Sequence, residues 1–197
     1  MTGRRYGILK TLFLTVLIGC FFLSAFSAAE EAPCPLLGNW AFNYEPTVSV
    51  LVVNEDGTAL WKDTEYTWED DGTFLLLKDK EENELAIRYL AEDDRMLIFL
   101  ASDYTRTAKD KDEEIFGAWK MDGSYGSSFI FEKDMRFMED GAFVGRFTLD
   151  EDAGTFTLKY EPSYFEDTTC YFIREGDRMT VEYPWTIEPT REEEPAE

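Results

Sequence analysis

The chain has no histidine among its 197 residues. That removes the usual general base near neutral pH and the commonest metal ligand. Ser-His and Cys-His nucleophile pairs go with it. Positive charge is also scarce: 19 Lys and Arg stand against 41 Asp and Glu, a formal net charge of −22. A polyanion is repelled by phosphate backbones and anionic lipid surfaces, which excludes nucleic acid as a partner and leaves a membrane role only to an N-terminal anchor. Proline is missing between Pro46 and Pro162, so no strand in that span loses a ladder donor. Beyond the first thirty residues no segment sustains a helical period, and no glycine loop suited to cradling phosphate occurs.

What is present begins with a leader pattern. Arg4, Arg5 and Lys10 precede an apolar run from Thr11 to Phe26, and no acid appears before Glu30. This reads as a secretory signal peptide over residues 1–29, in helical form, and places the mature chain outside a bacterial cell or at its surface. Cleavage after Ala29 or after Ser27 fits the small residues there. Leu17-Ile18-Gly19-Cys20 is also a lipobox-like string that would leave Cys20 lipidated, and an uncleaved anchor is the third reading. Without residues 1–29, 16 basic residues face 41 acids, a net charge of −25.

The mature part repeats itself. Leu37-Gly38-Asn39-Trp40 answers Phe116-Gly117-Ala118-Trp119, 79 residues later. Leu51-Val52-Val53-Asn54-Glu55-Asp56 answers Phe129-Ile130-Phe131-Glu132-Lys133-Asp134. Tyr66-Thr67-Trp68 answers Phe147-Thr148-Leu149, and the run from Gly72 to Lys78 answers the run from Gly154 to Tyr160. Asp94-Arg95-Met96 answers Asp177-Arg178-Met179, and Thr105-Arg106 answers Thr190-Arg191. Within each copy the period is two: Phe143, Gly145, Phe147 and Leu149 share one face, as do Phe156, Leu158 and Tyr160, or Leu85, Ile87 and Tyr89. Half-buried antiparallel strands have this pattern. Asp-Gly and similar pairs at Asp56-Gly57, Asp71-Gly72, Asp140-Gly141, Ala153-Gly154 and Gly176-Asp177 mark the turns between them.

The expectation is an all-β chain of two tandem antiparallel meanders, small barrels or sheets, of about six strands each. They span residues 33–108 and 115–188, with a charged connection from Thr107 to Glu114 and a disordered acidic tail at 189–197. Whether the copies close separately or pair into one continuous sheet is left open by the pattern, with separate closure favoured because each opens on its own Gly-x-Trp. Of the mature cysteines, Cys34 precedes the first copy and Cys170 lies in a strand of the second. Two arrangements are open in an exported protein: a disulfide between them, or two free thiols.

A Gly-x-Trp opening of a β-meander, with an arginine near its end, resembles the lipocalin-like superfamily, and small bacterial members of it in particular. The resemblance implies a tryptophan on the first strand, packed across the closed end of a barrel, with a late arginine stacked on it. Trp40 with Arg106 and Trp119 with Arg191 are the matching positions. Copies this short imply an interior filled by side chains rather than a large ligand cavity.

Other candidate chemistry reduces to composition. Glu65, Glu69 and Asp70 beside Tyr66 and Trp68 have the residue types of a sugar site. Asn54-Glu55-Asp56-Gly57, Glu69-Asp70-Asp71-Gly72 and Asp150-Glu151-Asp152 are acidic loops, but none has the ligand spacing of a calcium-binding helix–loop–helix, and each reads as a hairpin turn. The string from Gly123 to Ser127 is a loop without a catalytic partner. No metal, cofactor or catalytic set is assigned. The sequence leads to an exported, non-enzymatic binding or interaction protein, with a protein or small apolar ligand as its partner. A structural accessory of the cell surface is the alternative reading, and a carboxylate-dependent hydrolase the third.

Overall fold

Alternating apolar side chains and short polar turns give strands, and the strands form one continuous antiparallel ladder. The computed structural model describes residues 34–92, 94–108, 114–123, 126–163 and 165–191. The expected signal peptide with Cys20, most of the charged connection, and residues 192–197 of the expected tail lie outside the described residues. The described residues hold fourteen strands and no helix: β1 (Gly38–Phe42), β2 (Ser49–Val53), β3 (Thr58–Trp61), β4 (Thr64–Asp70), β5 (Phe74–Lys78), β6 (Glu84–Ala91), β7 (Met96–Ala108), β8 (Gly117–Met121), β9 (Ser128–Phe131), β10 (Arg136–Glu139), β11 (Phe143–Asp150), β12 (Thr155–Glu161), β13 (Thr168–Glu175) and β14 (Arg178–Pro189). Each half therefore has seven strands rather than about six. Turns without glycine account for the difference: Lys62 and Asp63 adopt φ of 48° and 66°, and Met135 adopts 65°. Non-glycine residues seldom take that conformation, so these turns left little mark in the sequence.

Each strand pairs with its successor, and β14 returns to β1, so the ladder closes. One further pairing crosses the ring. β7 and β14 run antiparallel over ten residue pairs, from Thr105 opposite Arg178 to Met96 opposite Ile187. This ribbon divides the ring into two circuits of eight strands, both of which use β7 and β14. The free edge of β7 meets β6 along Met96–Phe99 and β8 from Tyr104 onward. The free edge of β14 meets β13 along Arg178–Glu182 and β1 along Ile187–Pro189. A shift of 83 residues carries the pair Arg88–Phe99 onto Tyr171–Glu182, and the pair Met96–Ile187 onto Met179–Tyr104.

Two cores result. The first holds Trp40, Leu51, Trp61, Leu75, Leu77, Ile87, Met96 and Ile98, and also Ile187 from the last strand. The second holds Trp119, Phe129, Phe131, Phe137, Phe147, Phe156, Leu158 and Cys170, and also Tyr104 from the end of β7. Each core is thus completed by a strand end from the other half of the chain.

Two boundaries differ from the sequence reading. Thr107 and Ala108, placed in the connection, extend β7. Pro189, placed in the tail, ends β14 opposite Trp40. The next two residues are also tied down, because Thr190 N–H donates to Asn39 O at 2.9 Å and Arg191 N–H to Pro46 O at 2.9 Å.

Candidate functional site

Of the residues that carried the family resemblance, only Arg106 and Trp119 form a plug, and not in the expected pairing. Trp40 Nε1–H donates to Leu36 O at 2.8 Å, and Trp119 Nε1–H to Ile115 O at 2.7 Å. Each indole lies in its own core. Arg106 does not reach Trp40. Its guanidinium sits 4.4 Å from the ring centre of Trp119 and donates to Phe116 O at 2.7 Å and Glu114 O at 2.6 Å. Its side chain is 3 % exposed, with the Asp177 carboxylate 3.6 Å from Nε. The cause is the strand exchange: the end of β7 pairs with β8, so Arg106 lies opposite Trp119. Trp40 faces Pro189 instead. Arg191 makes no such plug; its exposed guanidinium binds Glu188 at 2.9 Å.

The cysteines are both free thiols. Cys34 packs against the first core and Cys170 is buried in the second. Burial raises the Cys170 thiol well above its ordinary value, which leaves it protonated and inert.

The acidic strings serve turns and surface pairs. Asp56 Oδ1 accepts the Thr58 hydroxyl and backbone N–H, and Asp71 Oδ1 accepts the Thr73 and Phe74 N–H groups. These bonds hold both carboxyls below their usual value. Asp150 Oδ1 accepts the Ala153 N–H. Glu65 is bound by Lys80 at 2.6 Å, while Asp70 accepts Tyr89 Oη–H and the Gly72 N–H. Glu65 and Tyr66 line a groove of about 590 Å³ on an outer face, where Lys78 is paired with Glu82 and Glu84. Among the described residues no group of three or more Cys, Asp or Glu could hold a metal ion.

The interior of the second circuit is filled. Phe131 lies 4.9 Å from Phe147, 5.2 Å from Phe156 and 5.4 Å from Phe129, measured between ring centres. The last pair is stacked and the other two are edge-on, arrangements that rings at these separations favour. This stack leaves no room for a ligand within it.

An aromatic ledge lies where the two circuits meet on the inner side of the β7–β14 ribbon. Tyr183 and Trp185 share the face of β14 that buries Val181 and Ile187. From Trp185, ring contacts continue to Phe42 at 5.8 Å and Tyr44 at 6.2 Å, and Phe42 stacks on Tyr44 at 5.1 Å. In the other direction Tyr183 lies 6.2 Å from Trp185, its hydroxyl is 3.0 Å from that of Tyr160, and Tyr160 leads to Phe165 and then Phe143 at 5.3 and 5.6 Å. Tyr44, Phe165, Phe143 and Trp185 are 64, 52, 44 and 40 % exposed. Scattered exposed apolar residues are ordinary, but a contiguous path of them is not.

Its polar centre is Glu139. Tyr160 Oη–H donates to the Glu139 carboxylate at 2.7 Å, and the Tyr183 hydroxyl lies 3.0 Å from that of Tyr160. Burial raises the Glu139 carboxyl above its ordinary value, opposed by the Tyr160 bond and assisted by Asp140. Burial likewise pushes the Tyr183 hydroxyl up to about 12. Among the described residues no lysine or arginine pairs with Glu139, and the cation–ring contacts fall on Trp61, Phe74, Tyr171 and Trp119, away from the ledge.

None of the ledge residues stood out in the sequence. The one available signal was Tyr183-Pro184-Trp185, which puts two aromatic side chains on one face of a strand that goes on to bury Ile187. Comparison of the chain with protein-family models, curated proteins and solved structures found no match.

Proposed function

We propose that the chain is an exported, non-enzymatic binding protein that takes its ligand on the aromatic ledge between two lipocalin-like circuits. The observation that carries this reading is the line of aromatic contacts from Tyr44 through Trp185 to Phe143, exposed at both ends and anchored in the core at Tyr160. Monomeric proteins seldom leave such a surface to water unless it binds something. The Trp119–Arg106 plug supports the family reading, and the leader pattern of residues 1–29 supports export. Duplication of one seven-strand unit accounts for the 83-residue shift that maps one set of pairings onto the other. Strand ends exchanged between two copies are what a domain-swapped dimer keeps when its subunits become fused in one chain.

The test is native mass spectrometry of the full chain purified from its host, beside a Tyr44→Ala/Trp185→Ala variant. A bound species on the parent that is lost from the variant, with thermal midpoints unchanged, is the expected result. A species retained by the variant, or none on either protein, refutes the ledge as the binding site.

A further inference from the structure

We propose that the Glu139 end of the ledge is a site for an organic cation, a quaternary or alkyl-ammonium group. This rests on the binding reading above and gives it a ligand class. Three observations converge on it. A carboxylate sits among aromatic side chains with only a tyrosine hydroxyl as its hydrogen-bond partner: Tyr160 donates to it at 2.7 Å. The Tyr160 that holds it is itself packed among aromatic groups, 5.3 Å from Phe165 and 5.2 Å from Phe137 between ring centres and 3.0 Å from the Tyr183 hydroxyl. The chain's net charge of −22 draws cations and repels anions over the whole surface. Aromatic rings attract an ammonium group through their negative faces, and a partly desolvated setting strengthens that attraction.

A carboxylate is held half-buried here at a cost, because burial disfavours its charged form. An ammonium ligand would offset that cost and draw the proton off Glu139. The groups facing Glu139 are Tyr160 and Tyr183 from β12 and β14, with Asp140 beside it; Tyr104 and Cys170 lie further into the same core. Burial raises the tyrosines and Cys170, which stay protonated below pH 8, so Glu139 sets the pH response. Burial raises the Glu139 carboxyl above its ordinary value in the folded chain. Affinity for a cation is therefore full above that raised value and falls as the pH drops through it.

The experiment is isothermal titration of the full chain with choline and with its neutral carbon isostere, 3,3-dimethylbutan-1-ol. Choline binds at least tenfold more tightly than the isostere, with proton release near the Glu139 titration. Glu139→Gln weakens choline at least tenfold while leaving the isostere and the thermal midpoint unchanged. Equal binding of the two probes overturns the cation assignment but leaves the ledge as an apolar site. No binding of choline also overturns it, and the ledge itself then stands or falls on the native mass measurement. Unaltered choline affinity in Glu139→Gln removes Glu139 from the site.

Discussion

Substituting Ile187 in the last strand should loosen the first half of the chain rather than the second. Ile187 is fully buried in the first core, opposite Phe42 of β1 and Met96 of β7. Ile187→Ala removes three carbons, about 2.5 kcal/mol of transfer free energy at ~0.8 kcal/mol per carbon. The residual cavity adds to this, giving a total of roughly 3–4 kcal/mol within the range for buried Ile→Ala changes. A chain of this size should lose roughly 6–16 °C of thermal midpoint. The distinctive result is spatial. Native-state hydrogen exchange read by mass spectrometry should show protection falling most in β1–β6, some 90 or more residues from the substitution in sequence. Tyr104→Ala, in β7, should do the reverse and loosen β8–β13, whose core Tyr104 completes. Loss centred on β8–β13 in Ile187→Ala would refute the exchange of strand ends. Equal loss everywhere would refute the separability of the two cores.

Two further substitutions probe the packing. Arg106→Ala leaves Phe116 O and Glu114 O without their donor and uncovers Trp119, and should cost about 2–4 kcal/mol in urea unfolding; Arg191→Ala, at an exposed surface pair, should stay within about 0.5 kcal/mol. Equal effects of the two would mean that Arg106 is no plug. Gly145→Ala sets a methyl carbon 2.0 Å from Lys159 O and 2.9 Å from the Phe137 ring. It should destabilise by about 2 kcal/mol or more by overpacking, and a midpoint equal to the parent's would show that β11 and β12 can part there without cost.

Much of the architecture was legible because it follows from local chemistry. Strand faces such as Gly145, Phe147 and Leu149 follow from a period of two, and the turns at Gly72 and Gly154 from residues that accept positive φ. The turns at Lys62-Asp63 and Met135 were illegible for the converse reason, and with them the seventh strand of each half. Trp40 and Trp119 read correctly as core residues. Their arginine partners did not: Thr105-Arg106 and Thr190-Arg191 look alike in sequence, yet the register places Pro189, not Arg191, opposite Trp40.

The aromatic ledge was out of reach for a different reason. Its side chains come from β1 and the turn after it, from β10, β11, β12 and β14, and from the loop at Phe165, and nothing in local sequence makes Glu139 differ from the other acids. A carboxylate becomes unusual only when aromatic rings from distant strands exclude water around it.

The sequence by itself determined that this chain is built of antiparallel β-strands, lacks the residues for histidine chemistry and carries a large negative charge. Those properties reside in composition and in periods of a few residues. Only the tertiary structure decided that β7 and β14 each serve two circuits, that Arg106 seals the core of the other half, and that one carboxylate stands among rings. Each of these depends on which strand edges meet. Hydrogen-bonding edges are chemically alike along every strand, so the choice between them is made by how the whole ladder closes.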